Sequence, residues 1–120
     1  MATSRDHKNL KNAIRLALGK RGDVVIWNNE SGVAEYQDRP VRYGVGKGGA
    51  DLLGICNVQG VGRFIALEVK TGKATASAEQ KMFLALVRKY GGYATVVRSV
   101  EDAIRAVEEC RNGRYGDGVS

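Results

Sequence analysis

The sequence predicts one α/β domain with the element order α-β-β-β-β-α-β-α, and three observations carry that prediction. Near the start, Leu10, Ala13, Ile14, Ala17 and Leu18 recur at the spacing of one helix face. In the middle, two apolar runs, residues 50–58 and 64–69, flank a turn at Gly60-Val61-Gly62. Later, a helix starting at Ser77 is followed by a strand over 93–97 and a last helix after Ser99.

The first helix runs from Ser4 to Leu18, with Lys8, Lys11 and Arg15 on its polar side. Gly19 ends it, and Lys20 and Arg21 lie near the negative end of its dipole. That basic face either lies along a nucleic-acid backbone or is simply solvated. Val24, Val25, Ile26 and Trp27 form the first strand, residues 28–32 form a turn by composition, and residues 33–36 form a short second strand. Residues 37–47 read as a polar, basic connection carrying Arg39, Arg42, Tyr43, Lys47 and the only proline, Pro40. A connection of this length either contacts a strand of nucleic acid through these basic residues or is an ordinary surface loop. Within residues 44–49 the letters match G-x-G-x-x-G, but a strand follows rather than a helix, which excludes a dinucleotide fingerprint. The glycines are expected instead to give a bulky substrate clearance beside Asp51.

The strand over 64–69 continues into Lys70 and is expected to be buried on both faces. Side chains alternate along a strand, so Phe64, Ala66, Glu68 and Lys70 share one face, while Ile65, Leu67 and Val69 share the other. Lys73 lies in the loop that follows. Ser77 and Gln80 have the spacing of a capping box, and the helix after them is expected to bury Phe83, Leu84, Leu86, Val87 and Tyr90 before Gly91-Gly92 stops it. Ser99 caps the last helix, which contains Ile104, Ala106 and Val107 and has Glu101 and Asp102 in its first turn. The domain is expected to occupy residues 1–112, with 113–120 as a flexible tail.

A hydrophobic content of 43% over 120 residues fits a single core. No apolar run is long enough for a membrane span, and the first residues have no apolar signal region. Two isolated cysteines, Cys56 and Cys110, make no disulfide framework and fit a reducing cytoplasm. They and the one histidine do not supply the usual zinc ligand set. The net charge of +6 favours a polyanionic partner such as DNA.

If the two apolar strands pair antiparallel, Asp51 at the start of one lies beside Glu68 and Lys70 at the end of the other. Carboxylates at the end of an apolar strand are costly unless something compensates them. A hard cation such as Mg²⁺ takes oxygen ligands while keeping waters, and it promotes phosphodiester hydrolysis. Asp51 and Glu68 are the metal ligands in this reading, joined by the backbone carbonyl of Val69. Lys70 orients the attacking water and offsets charge, or takes the proton as general base. Gln80 either closes its capping box or points toward the lysine and the phosphate. An ordinary cross-strand ion pair of Lys70 with Glu68 or Asp51 is the plainer alternative.

Several segments together resemble the virus-type replication-repair nuclease (VRR-NUC) domain of the PD-(D/E)xK superfamily. They are Gly49-Ala50-Asp51-Leu52-Leu53-Gly54, Leu67-Glu68-Val69-Lys70, Ser77-Ala78-Glu79-Gln80, Gly91-Gly92-Tyr93 and Ser99-Val100-Glu101-Asp102-Ala103. The Trp27-Asn28-Asn29 turn fits the same pattern, and the resemblance spans residues 5–111. It implies a restriction-endonuclease-like mixed sheet flanked by helices, and a Mg²⁺- or Mn²⁺-dependent endonuclease. Asp51 and Glu68 carry over as metal ligands, Lys70 as the catalytic lysine and Gln80 as the helix glutamine. Stand-alone members are similar to Holliday-junction resolvases and tend to be homodimers, which implies branched DNA as the partner. Two departures stand out. Ala50 replaces the superfamily's proline, and the first helix lacks the family's glutamate, whose place is expected to fall to Asn9 or Asn12. The competing readings are a nuclease-fold DNA-binding module without cleavage and a structural subunit with no metal affinity.

Overall fold

The computed structural model describes residues 2–30 and 32–116. Its elements are α1 (Ser4–Gly19), β1 (Val24–Asn28), β2 (Gly32–Tyr36), β3 (Arg39–Tyr43), β4 (Leu52–Val58), β5 (Val61–Val69), α2 (Ala78–Lys89), β6 (Tyr93–Val97) and α3 (Val100–Arg111). The fold is α/β with a four-stranded mixed sheet in the order β1-β4-β5-β6. β4 runs antiparallel to both β1 and β5, and β6 is parallel to β5. A parallel neighbour requires a crossover, and α2 supplies it. No described helix is long and apolar enough to cross a membrane.

The alternation of β5 sorts two cores. Ile65, Leu67 and Val69 face α1 and α3, where Ile14, Leu18, Ala103, Ala106, Val107 and Cys110 are buried with them. Ala66 faces the other way and packs with Ala94, Leu84 and Val87 beneath α2. The strand is therefore buried on both faces over Ile65 to Val69, but Phe64 is 42% exposed. Within α2 only Leu84 and Val87 are buried, while Leu86 and Tyr90 face solvent. The helix covers only β5 and β6, too narrow a strip to bury the wider stripe expected from the sequence. Ala13 in α1 and Ile104 in α3 are likewise exposed.

One strand more than expected is present. The basic connection over 37–47 holds β3, which pairs with β2 as a separate hairpin, with Val33 opposite Arg42 and Tyr36 opposite Arg39. Its two-residue turn is Gln37-Asp38, both with positive φ of 50° and 61°. Pro40 fits because a two-stranded sheet is all edge. Every residue from Val33 to Arg42 is exposed, so these residues add nothing to the core. The β4–β5 turn is at Gln59-Gly60, one residue earlier than expected, with Val58 opposite Val61. Gly60 takes φ +86°, and its N–H donates to Asn57 Oδ1 at 2.7 Å.

Arg21 lies beyond α1 as expected, but its guanidinium is paired. It is bidentate to Asp23 at 2.8 and 2.9 Å and also reaches Glu108 of α3 at 2.6 Å. Of the expected tail, Gly113 and Arg114 bond back to the end of α3, and Tyr115 and Gly116 lie against the open edge of β6, where Ala94 N–H donates to the Tyr115 carbonyl at 3.1 Å. Arg63 stacks over the Tyr115 ring at 4.8 Å. Ser31 and residues 117–120 lie outside the described residues.

Candidate functional site

The β4–β5 register places Leu52 opposite Leu67, so Asp51 enters β4 beside Glu68. Pairing of Glu68 with Val96 brings in the end of β6, and Lys70 N–H donates to the Val97 carbonyl at 3.1 Å just past it. Asp51, Glu68 and Lys70 thus meet at one edge of the main sheet. Lys70 Nζ lies 3.2 Å from Glu68 Oε2. Asp51 Oδ2 accepts the Val69 N–H at 2.8 Å.

Glu68 is only 2% exposed, and its Oε1 is buried with no hydrogen-bond partner among the described residues. Burial, reinforced by the negative Asp51 and opposed by Lys70, pushes the Glu68 carboxyl up to about 7. Below that value the folded protein holds a proton that the unfolded chain, with an ordinary carboxyl near 4.5, has already released. Stability in EDTA is therefore expected to fall as pH rises from about 5 to 7, at up to about 1.4 kcal/mol per pH unit. Thermal unfolding across that window checks this, and stability that rises with pH would contradict it.

The loop before Asp51 is held by the turn after β1. Asn29 N–H donates to the Asp51 carbonyl at 2.8 Å, and Asn29 Nδ2 donates to the Ala50 carbonyl at 2.8 Å. The glycines of the loop have a different use from the one expected. A Cβ on Gly49 would collide with Val45 and meet Asn29 Nδ2 at 3.0 Å, and one on Gly48 would meet the Glu79 backbone at 2.8 Å. The clearance serves the protein's own packing, seating the loop between the Asn29 turn and the start of α2.

Gln80 sits in the first turn of α2 and closes its capping box. Ser77 N–H donates to Gln80 Oε1 at 2.8 Å, and Gln80 N–H donates to Ser77 Oγ at 3.1 Å. Of the two roles open to it, the structure engages this one, and the side chain does not meet Lys70.

The sequence reading missed His7. In α1, Asn9 and Asn12 are exposed, and the side chain that reaches the sheet edge is this histidine. Its Nε2 lies 3.0 Å from the Val69 carbonyl oxygen and 3.3 Å from Asp51 Oδ2. A carbonyl oxygen only accepts, so Nε2 carries the proton. Thr3 and Asp6 form a reciprocal cap that fixes the helix start at Ser4, three residues before His7. A signal was present: His7 stands three residues before Leu10 and seven before Ile14, on the face that α1 turns toward the core.

The donor set suits a hard cation. Two carboxylates and a main-chain carbonyl offer oxygen ligands, and the unpartnered Glu68 Oε1 is an acceptor that a cation would satisfy. Among the described residues, no three His, Cys, Asp or Glu side chains gather as a metal-holding group, so water would complete the shell. The four basic residues expected to contact DNA lie on three segments. Arg39 and Arg42 are exposed on β3, Lys47 pairs with Glu79 at 3.5 Å, and Lys73 is exposed in the loop before α2. No protein-family model matches the chain, and none of the curated proteins matches it.

Proposed function

We propose that this protein is a metal-dependent DNA endonuclease with a restriction-endonuclease-like fold, of the VRR-NUC type and selective for branched DNA. The observation that carries the reading is the meeting of Asp51, Glu68 and Lys70 at one sheet edge with Glu68 Oε1 buried and unpartnered. Asp51, Glu68 and the Val69 carbonyl would hold Mg²⁺ or Mn²⁺, which when bound neutralises phosphate charge and activates water. Lys70 places a positive charge beside the scissile phosphate and orients the attacking water. Gln80 supports the site by fixing the first turn of α2.

A homodimer fits the open half of the sheet. Val25, Ile55 and Phe64 stand in register across β1, β4 and β5, and with Trp27 they are 42–53% exposed on the side that α2 leaves uncovered. A groove of about 380 Å³ beside them is lined by Trp27, Val25 and Ile55. Exposed apolar surface of this kind marks an interface. Trp27→Asp is expected to convert a dimer into a monomer in sedimentation analysis. A wild-type monomer, or a variant that stays dimeric, would remove this interface.

Arg39 and Arg42, with Lys47 and Lys73, would hold the phosphate backbone. The double variant Arg39→Ala/Arg42→Ala should weaken DNA binding and lower the slope of log affinity against log salt by about 2, one unit per lost contact. An unchanged slope would take the hairpin out of the interface.

The function is tested by incubating a labelled four-way junction and a matching linear duplex with Mg²⁺, Mn²⁺ or EDTA. Paired, metal-dependent nicks confined to the junction are expected. Cutting of both substrates would keep the nuclease and remove the junction preference. Binding without cutting would make the chain a nuclease-fold binding module.

A further inference from the structure

We infer that the His7 imidazole and the divalent cation are alternative occupants of the same oxygens, so that loading the site displaces His7 from the sheet edge. The inference rests on the metal-site reading above and adds a device that sets its affinity. His7 Nε2–H donates to the Val69 carbonyl at 3.0 Å and leans on Asp51 Oδ2 at 3.3 Å. Those are two of the oxygens assigned to the cation. An N–H aimed at them presents its positive end where a cation would bring its charge, and it uses the lone pairs that coordination needs.

The contact also links helix to sheet. His7 lies in the first turn of α1, and its ring joins that turn to the junction of β5 with the loop after it. The second oxygen of the same carboxylate pair across the edge, Glu68 Oε1, has no such partner among the described residues. The imidazole therefore satisfies one side of the site and leaves the other bare. Cation binding exchanges a helix-to-sheet hydrogen bond for coordination, and the first turn of α1 loosens as the site fills.

Mn²⁺ titration calorimetry and thermal unfolding in EDTA, on wild type, His7→Ala and His7→Gln, test the exchange. His7→Ala is expected to bind Mn²⁺ about tenfold more tightly, the equivalent of one hydrogen bond to a charged acceptor, and to unfold at lower temperature in EDTA. His7→Gln keeps an N–H donor and should stay nearer to wild type in both. His7 is the only histidine, so its ring gives one set of resonances. Diamagnetic Mg²⁺ should move that set toward a free imidazole.

Weaker binding by His7→Ala would make His7 a ligand and overturn the exchange. Equal affinity with an unmoved ring resonance would also overturn it, because the cation would then be held elsewhere, on Glu68 Oε1 and the other Asp51 oxygen, while the metal site itself stood. Absence of Mn²⁺ binding in all three proteins would sink the metal reading and the exchange together.

Discussion

Lys70→Ala is expected to lower the rate of junction cleavage by about 10²–10³-fold, the loss typical when one preorganised charge-stabilising group is removed. Mn²⁺ affinity should change little. The lysine makes its ion pair with Glu68 Oε2 and is no ligand in this reading, so its removal takes a positive charge from the site without taking a donor. Single-turnover cleavage paired with calorimetry separates the two effects. A variant that cuts normally would reduce Lys70 to an ordinary ion-pair partner of a buried glutamate. A variant that fails to bind metal would place the lysine in support of the carboxylates instead of the chemistry.

Asp51→Ala and Glu68→Gln should both lower Mn²⁺ affinity by about 100-fold, the upper end of what loss of even an outer-shell partner produces. Their effects on stability should differ. Asp51 Oδ2 accepts the Val69 N–H at 2.8 Å, and Val69 is fully buried. Truncation leaves that N–H without its acceptor and should cost about 1–3 kcal/mol. Glu68 carries the opposite balance, since its burial penalises the charged form and one oxygen is unsatisfied. Glu68→Gln should abolish the fall in stability between pH 5 and 7 described above and be no less stable than wild type at pH 8. Denaturant titrations in EDTA at the two ends of that range measure both variants. A Glu68→Gln protein that loses stability at high pH would show the carboxylate to be a structural ion-pair partner.

The parts legible in the sequence were those where local chemistry and tertiary placement agree. Apolar alternation in β5 marked both of its buried faces, and glycine between two apolar runs marked the antiparallel return that brings Asp51 to Glu68. Ser77 and Gln80 announced their cap by spacing alone. The β2–β3 hairpin was hidden because its turn, Gln37-Asp38, places two non-glycine residues at positive φ. The expected signal there is Asn-Gly or Asp-Gly. Pro40 and the two arginines then argued for a loop, although an exposed hairpin tolerates all three.

His7 was hidden for a different reason. A single histidine among lysines on a helix reads as surface, and only the packing of α1 against β5 shows that its ring meets Val69 and Asp51. The loop glycines were recognised as clearance, but what fills the space, Asn29 and the Glu79 backbone, depends on contacts far apart in sequence. Leu86 and Tyr90 were assigned to the core because helix periodicity gives an apolar stripe without saying how wide a sheet lies beneath it.

Titration of Mn²⁺ into the wild-type protein at pH 7.5 asks whether this sheet edge holds a divalent cation. A saturable isotherm is expected, with protons released as pH is lowered toward 7 because the Glu68 carboxyl must ionise to coordinate. The absence of binding heat in buffers of different ionisation enthalpy, with thermal stability unchanged by Mn²⁺, would contradict it.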